Sequence, residues 1–166
     1  MSPAIWHSNI CHMAEVLEAY RKAIKAGRAG SYRFVSLVGL RSQDPLDIRK
    51  RVEEGFSFAA LQSFQRNSGL STSDLADAVM ITMRTLHRRK EQGRLEPEES
   101  DRLLRLSRVF GRALELFEGD APATREWLAR PQDALGGERP MVVAKTDVGA
   151  REVEALVERL EHGVLT

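Results

Sequence analysis

From Asp44 to Pro97 the chain carries helix-start and helix-stop signals in quick succession, which restricts it to short helices packed around one another. Asp44-Pro45 supplies a capping carboxylate and then a proline at the first helical position, where its missing N–H costs nothing. That predicts a helix to Glu54, stopped by Gly55. Ser57 is placed to cap the next helix, which buries Phe58, Leu61 and Phe64, runs to Asn67 and is followed by Gly69. Ser71 and Asp74 have capping-box spacing, and Leu75, Ala76 and Val79 form the inner face of the helix they open. Thr82 opens a further helix that ends near Gly93. Pro97 opens a longer one, with Glu98, Glu99 and Asp101 near its positive end and a stripe of Leu103, Leu106, Phe110, Leu114 and Phe117.

Helical spacing extends to both sides of this stretch. Trp6, Ile10, Met13, Leu17, Tyr20 and Ile24 recur every three or four residues, and Gly27 and Gly30 stop the helix they predict. The apolar run Phe34 to Leu40 fits either a buried strand or a buried helical turn. Residues 118–122 (EGDAP) read as a hinge. A short helix with Trp127 and Leu128 follows, then a loop with Pro131, Gly136, Gly137 and Pro140. Thr146 is placed to cap a last helix carrying Val153, Leu156, Val157 and Leu160 on one face, ended by Gly163. The expected organisation is an N-terminal helical extension over 1–55, a DNA-binding unit over 56–118 and a C-terminal unit over 119–166.

Apolar residues make up 42% and charged residues 30% of the chain, which suits a folded protein with a core rather than a disordered one. No apolar run is long enough for a membrane span, and residues 1–13 lack a basic start followed by an apolar stretch. Cys11 is the only cysteine, so no internal disulfide forms and a reducing cytoplasm is the expected location. No catalytic set, metal-ligand spacing or phosphate-cradling glycine loop is present, so neither enzymatic activity nor a cofactor is expected. The net charge of +1 hides a gradient. Residues 1–55 carry nine basic and six acidic side chains, residues 56–95 six and three, and residues 96–166 ten and fifteen. A basic middle and an acidic end suit two different partners.

The helix at Ser71, the tight link Met80-Ile81 and the helix at Thr82 make a helix-turn-helix pattern, in which the second helix enters the major groove. Small Ala76 lets the two helices approach closely. Thr82 starts the second helix, and Met83, Arg84 and Thr85 near that start are candidates for base contacts. Arg88, Arg89, Lys90 and Arg94 are candidates for gripping phosphates. Such modules read DNA as dimers, so a homodimer on operator DNA is expected. A stand-alone regulator with a C-terminal dimerisation or sensing domain fits the same pattern.

Residues 93–106 (GRLEPEESDRLLRL) resemble the joining helix of the Xre/MbcA/ParS-type antitoxins. Trp127-Leu128, the run Ala134 to Gly137 and Pro140-Met141 are similar to that family too, as are residues 146–153 and 159–163. The resemblance covers roughly residues 40–166 and is most specific in the C-terminal third. It implies an all-α, Cro/Xre-like helix-turn-helix bundle with a small helical toxin-binding domain. The implied partner is a RES-class toxin that consumes NAD, covered by this domain with the tail approaching the cleft in a higher hetero-oligomer. The same protein would repress its own operon. Trp127, Leu128 and Leu135 are candidate apolar anchors for the toxin. Glu152, Glu154, Glu158 and Glu161 offer an acidic face, and Arg159, His162, Gly163, Val164, Leu165 and Thr166 complete the candidate toxin-binding end. One departure from the family pattern is that about 55 residues precede the helix-turn-helix.

Overall fold

The computed structural model describes residues 15–22 and 32–163. Residues 15–22 are helical (α1), and a 3-10 helix covers Arg33–Val38. Eight α-helices follow among the described residues: α2 (Pro45–Glu54), α3 (Phe58–Ser68), α4 (Thr72–Ala78), α5 (Met83–Gln92), α6 (Pro97–Leu116), α7 (Ala121–Ala129), α8 (Pro140–Val143) and α9 (Asp147–Glu161). A 3-10 turn at Asp133–Leu135 lies between α7 and α8. No strand forms among the described residues. Two isolated antiparallel bridges, Ser57 with Arg94 and Gln132 with Glu138, pin loops together. No helix among these residues is long and apolar enough to cross a membrane.

Local chemistry sets the helix boundaries. The side chains of Asp44, Ser71, Thr82, Asp120 and Thr146 each accept a hydrogen bond from a first-turn backbone N–H. Ser57 occupies the N-cap position of α3, but its side chain caps nothing. The Phe58 N–H donates to Gly93 O at 2.8 Å, beside the bridge to Arg94. The apolar run at Phe34 resolves as the 3-10 helix, closed by Gly39 in the left-handed region at φ 78°.

The core is organised around α6, 20 residues long, which packs against the first 3-10 helix and against α2, α3, α4, α7 and α9. Leu103, Phe110 and Leu114 of its stripe are fully buried and Leu106 nearly so, whereas Phe117 is only half-buried. The Phe110 ring meets Phe64 of α3 edge-on, with centroids 5.7 Å apart at 84°, a geometry that aligns ring edge with ring face. Tyr20 of α1 is buried in this core, and Leu17 packs against it. Trp6, Ile10, Met13, Ile24, Gly27 and Gly30 lie outside the described residues.

At the expected hinge the chain reverses through Glu118, at φ 51°, and Gly119, at φ 87°. The helices on its two sides share one hydrophobic cluster that runs from Tyr20 to Val157. Polar ties cross the same boundary. Arg125 of α7 donates to Ser68 O at the end of α3 (2.9 Å), and Lys145 pairs with Asp77 of α4 (2.7 Å). These cations neutralise carbonyls and charge at the negative ends of short helices.

Candidate nucleic-acid interface and C-terminal face

Helices α4 and α5 are joined by Val79, Met80 and Ile81. The turn is closed by Met80 N–H to Asp77 O at 3.0 Å and Ile81 N–H to Ala76 O at 2.9 Å. Leu75, Ala76, Val79 and Leu86 fill the space between the two helices and the core. Met80 takes the left-handed conformation at φ 57°, and its side chain is 54% exposed. The Thr82 hydroxyl accepts from Thr85 N–H at 3.1 Å and lies 3.0 Å from the Thr85 hydroxyl, which fixes the first turn of α5.

The outward face of α5 carries Met83, Arg84, His87, Arg88 and Lys90, all exposed. The side chains of Arg84, Arg88, Lys90 and Arg94 make no hydrogen bond or ion pair among the described residues. The His87 ring sits 2.7 Å from Met83 O. A row of unpaired cations on one face of an exposed helix is what phosphate binding requires.

Arg89 departs from the sequence expectation. Instead of facing out to grip phosphate, it is buried and turned onto the start of α6. Its Nε donates to both carboxylate oxygens of Glu99, at 3.0 and 2.8 Å. Its Nη1 donates to Gln92 Oε1 at 2.8 Å and lies 2.8 Å from Glu96 Oε1. The hydrogen bonds that Arg89 donates to Glu99 raise its pKa further, against a smaller opposing effect of burial. Glu99 also accepts from Glu96 N–H at 2.9 Å, completing a capping box for α6. Sequence reading took Glu99 only as a favourable charge near a helix start, because a glutamate at the N-cap lies outside the usual capping-box pattern.

In the C-terminal part, Leu128 is fully buried, whereas Trp127 is half-buried and stacks at a tilt on Phe117, with ring centroids 6.2 Å apart. Leu135 is half-buried and packs against the core. A cleft of about 530 Å3 separates α4 from α7 and α8, with Leu70, Asp77, Arg125, Arg139 and Met141 among its walls.

Along α9, Val153, Leu156 and Val157 are buried and Leu160 is half-buried. Within the expected acidic face, Glu154 accepts from Arg108 Nε of α6 at 2.6 Å and is paired inside the fold. Glu152, Glu158 and Glu161 are exposed. Arg159 is half-buried, and His162 and Gly163 are exposed. Val164, Leu165 and Thr166 lie outside the described residues. No group of three or more metal-binding side chains occurs among the described residues.

Comparison with known proteins follows the same division. Residues 47–108 match the antitoxin Xre-like helix-turn-helix domain. Residues 112–163 match the antitoxin Xre/MbcA/ParS C-terminal toxin-binding domain. An antitoxin Xre of Yersinia enterocolitica is 34% identical over 130 residues, 78% of this chain and 88% of that protein. An antitoxin Xre of Photorhabdus laumondii is 30% identical over 130 residues, again 78% of this chain and 88% of the relative. A third, from Pseudomonas putida, is 30% identical over 118 residues, 70% and 72% of the two chains. With a recognition helix bearing free cations, a helical C-terminal part and these relatives, the chain belongs to the Xre/MbcA/ParS antitoxin family, as a helix-turn-helix domain followed by a toxin-binding domain.

Proposed function

We propose that this antitoxin silences a RES-type, NAD-consuming toxin by laying its C-terminal face over the toxin's cleft, and that as a dimer it represses its own operon. The observation that carries the reading is the separation of free charge. Arg84, Arg88 and Lys90 stand exposed on α5, while Glu158 and Glu161 stand exposed at the end of α9. A cleft that binds an anionic dinucleotide is basic, and an acidic helix end complements it. Trp127 and Leu135, half-buried in the same region, retain apolar surface for an anchor. The chain acts by occlusion, in the cytoplasm, without chemistry of its own. Residues ahead of the helix-turn-helix domain assist dimerisation, and higher hetero-oligomers form with toxin.

The test is co-expression with the product of the adjacent reading frame. Rescue of growth together with preserved cellular NAD supports the proposal. Repression of the operon without rescue would identify a stand-alone regulator instead. Rescue with NAD unchanged when the toxin acts alone would point to a toxin of another class.

A further inference from the structure

We propose that Arg89 and Glu99 form a latch that sets the docking angle of α5 on DNA, so that Arg89 is a positioning residue rather than a DNA contact. The inference rests on the DNA-binding role of α5.

Helix α5 has ten residues, of which only Leu86 and Arg89 are buried. Leu86 is an apolar contact and leaves the helix free to pivot, because hydrophobic attraction has no preferred direction. Rotation about that contact is opposed at one end by the turn, where Ile81 N–H donates to Ala76 O of α4 at 2.9 Å, and at the other by Arg89. A planar guanidinium held through Nε by Glu99 and through Nη1 by Gln92 and Glu96 is fixed in direction as well as distance. Glu99 is itself immobilised, since it accepts from the Glu96 backbone in the first turn of α6, a helix of 20 residues. The α5–α6 link is pinned as well, by Leu95 N–H to Phe56 O at 2.8 Å. The latch therefore transfers the orientation of α6 to the base-reading turn of α5. Arg84 and Arg88, one turn apart on the outer face, inherit that orientation.

A buried ion pair replaced by neutral groups of similar volume often leaves stability unchanged or raised. This separates positioning from mere support of the fold. The full chain, its R89M/E99Q double variant and its R88A variant are compared on the duplex immediately upstream of the chain's own coding sequence, and on a scrambled duplex of equal length, over a salt series. In the double variant the introduced amide oxygen still accepts from Glu96 N–H, so α6 keeps its cap. The expected result is unchanged thermal unfolding with an affinity for the upstream duplex lower by about tenfold or more, the scale of a lost base contact. Affinity for the scrambled duplex and the salt slope stay close to wild type, whereas R88A lowers the slope by about 0.9. If the double variant does not fold, R89K supplies the test. It keeps the charge but not the fork, and is expected to lose specificity for the upstream duplex while folding normally.

Wild-type specificity in whichever of these variants folds overturns the latch. A slope reduced by about 0.9 also overturns it, because Arg89 would then be a phosphate contact. Failure of the wild-type chain to prefer the upstream duplex removes the DNA-binding reading and the latch with it.

Discussion

The Tyr20 hydroxyl donates to the carbonyl oxygen of Gly111 at 3.3 Å, at the one point in α6 where the helix carries no side chain. A Cβ built on Gly111 would stand 2.8 Å from the Tyr20 oxygen and 2.9 Å from Phe34 Cβ. The glycine is therefore the seat on which α1 and the first 3-10 helix close over α6. Although alanine favours helix intrinsically, G111A should destabilise the protein by about 1–3 kcal/mol through overpacking. Chemical unfolding measures this, and a variant as stable as wild type would show that α1 can shift aside.

The same tyrosine gives the fold an alkaline limit. Burial, reinforced by the Glu115 carboxylate, pushes its phenol well above the ordinary value of 10.0. In the unfolded chain the phenol ionises near that ordinary value, while in the folded chain it stays protonated. Its contribution is thus complete below about pH 10 and is lost as pH rises further, because only the unfolded state releases the proton. The fall in stability above pH 10 should be shallower in Y20F than in wild type. Parallel curves for the two proteins would show that the buried phenol does not control it.

Met80 holds the helix-turn-helix link in a conformation that glycine adopts freely and methionine does not. Since its side chain is half exposed, M80G should lose little packing and gain about 1 kcal/mol, the relief of about 1–3 kcal/mol of backbone strain less the greater entropy that glycine loses on folding. Thermal unfolding reads this directly. A destabilised variant would mean that the methionine makes contacts worth more than the strain.

Much of this architecture was legible in the sequence because cap chemistry is local. Asp44, Ser71, Thr82 and Thr146 each bind a backbone N–H two or three residues on, so residue type and spacing suffice. The site was legible only in part, for the opposite reason. The three-residue spacing from Leu86 puts Arg89, unlike Arg88, on the inner face, but the partner that a buried arginine needs, Glu99, lies ten residues away on another helix. Glu154 likewise looked free among its acidic neighbours until Arg108, 46 residues earlier, claimed it. The run at Phe34 offered no period to distinguish strand from helix, and its 3-10 form follows from the covering helices α3 and α6.

Arg84 and Arg88 should fail in different ways. Arg84 lies in the first turn of α5, where side chains meet base edges, whereas Arg88 lies one turn further along with no internal partner. R84A should cost about 1–3 kcal/mol on the upstream duplex and little on unrelated DNA. R88A should weaken all sequences alike and lower the salt slope by about 0.9. Both variants should still rescue cells from the toxin, since neither residue touches the C-terminal face. Loss of rescue together with DNA binding would indicate a folding defect instead.

The acidic end of α9 allows the partner's charge to be tested without disturbing the fold. Glu158 and Glu161 are exposed and make no ion pair among the described residues, whereas Glu154 on the same helix is tied to Arg108. Reversing the first two therefore changes the field at the surface and leaves the packing of α9 on α6 intact. If these carboxylates meet a basic cleft, E158K/E161K should slow association with the toxin most strongly at low salt, and the deficit should shrink as salt screens it. Affinity for the upstream duplex should not fall, because the added positive charge does not oppose binding to DNA. Association kinetics with purified toxin give the answer. An unchanged association rate at low salt would mean that the acidic end faces away from the partner, and toxin binding would then have to rest on the apolar contacts of Trp127 and Leu135.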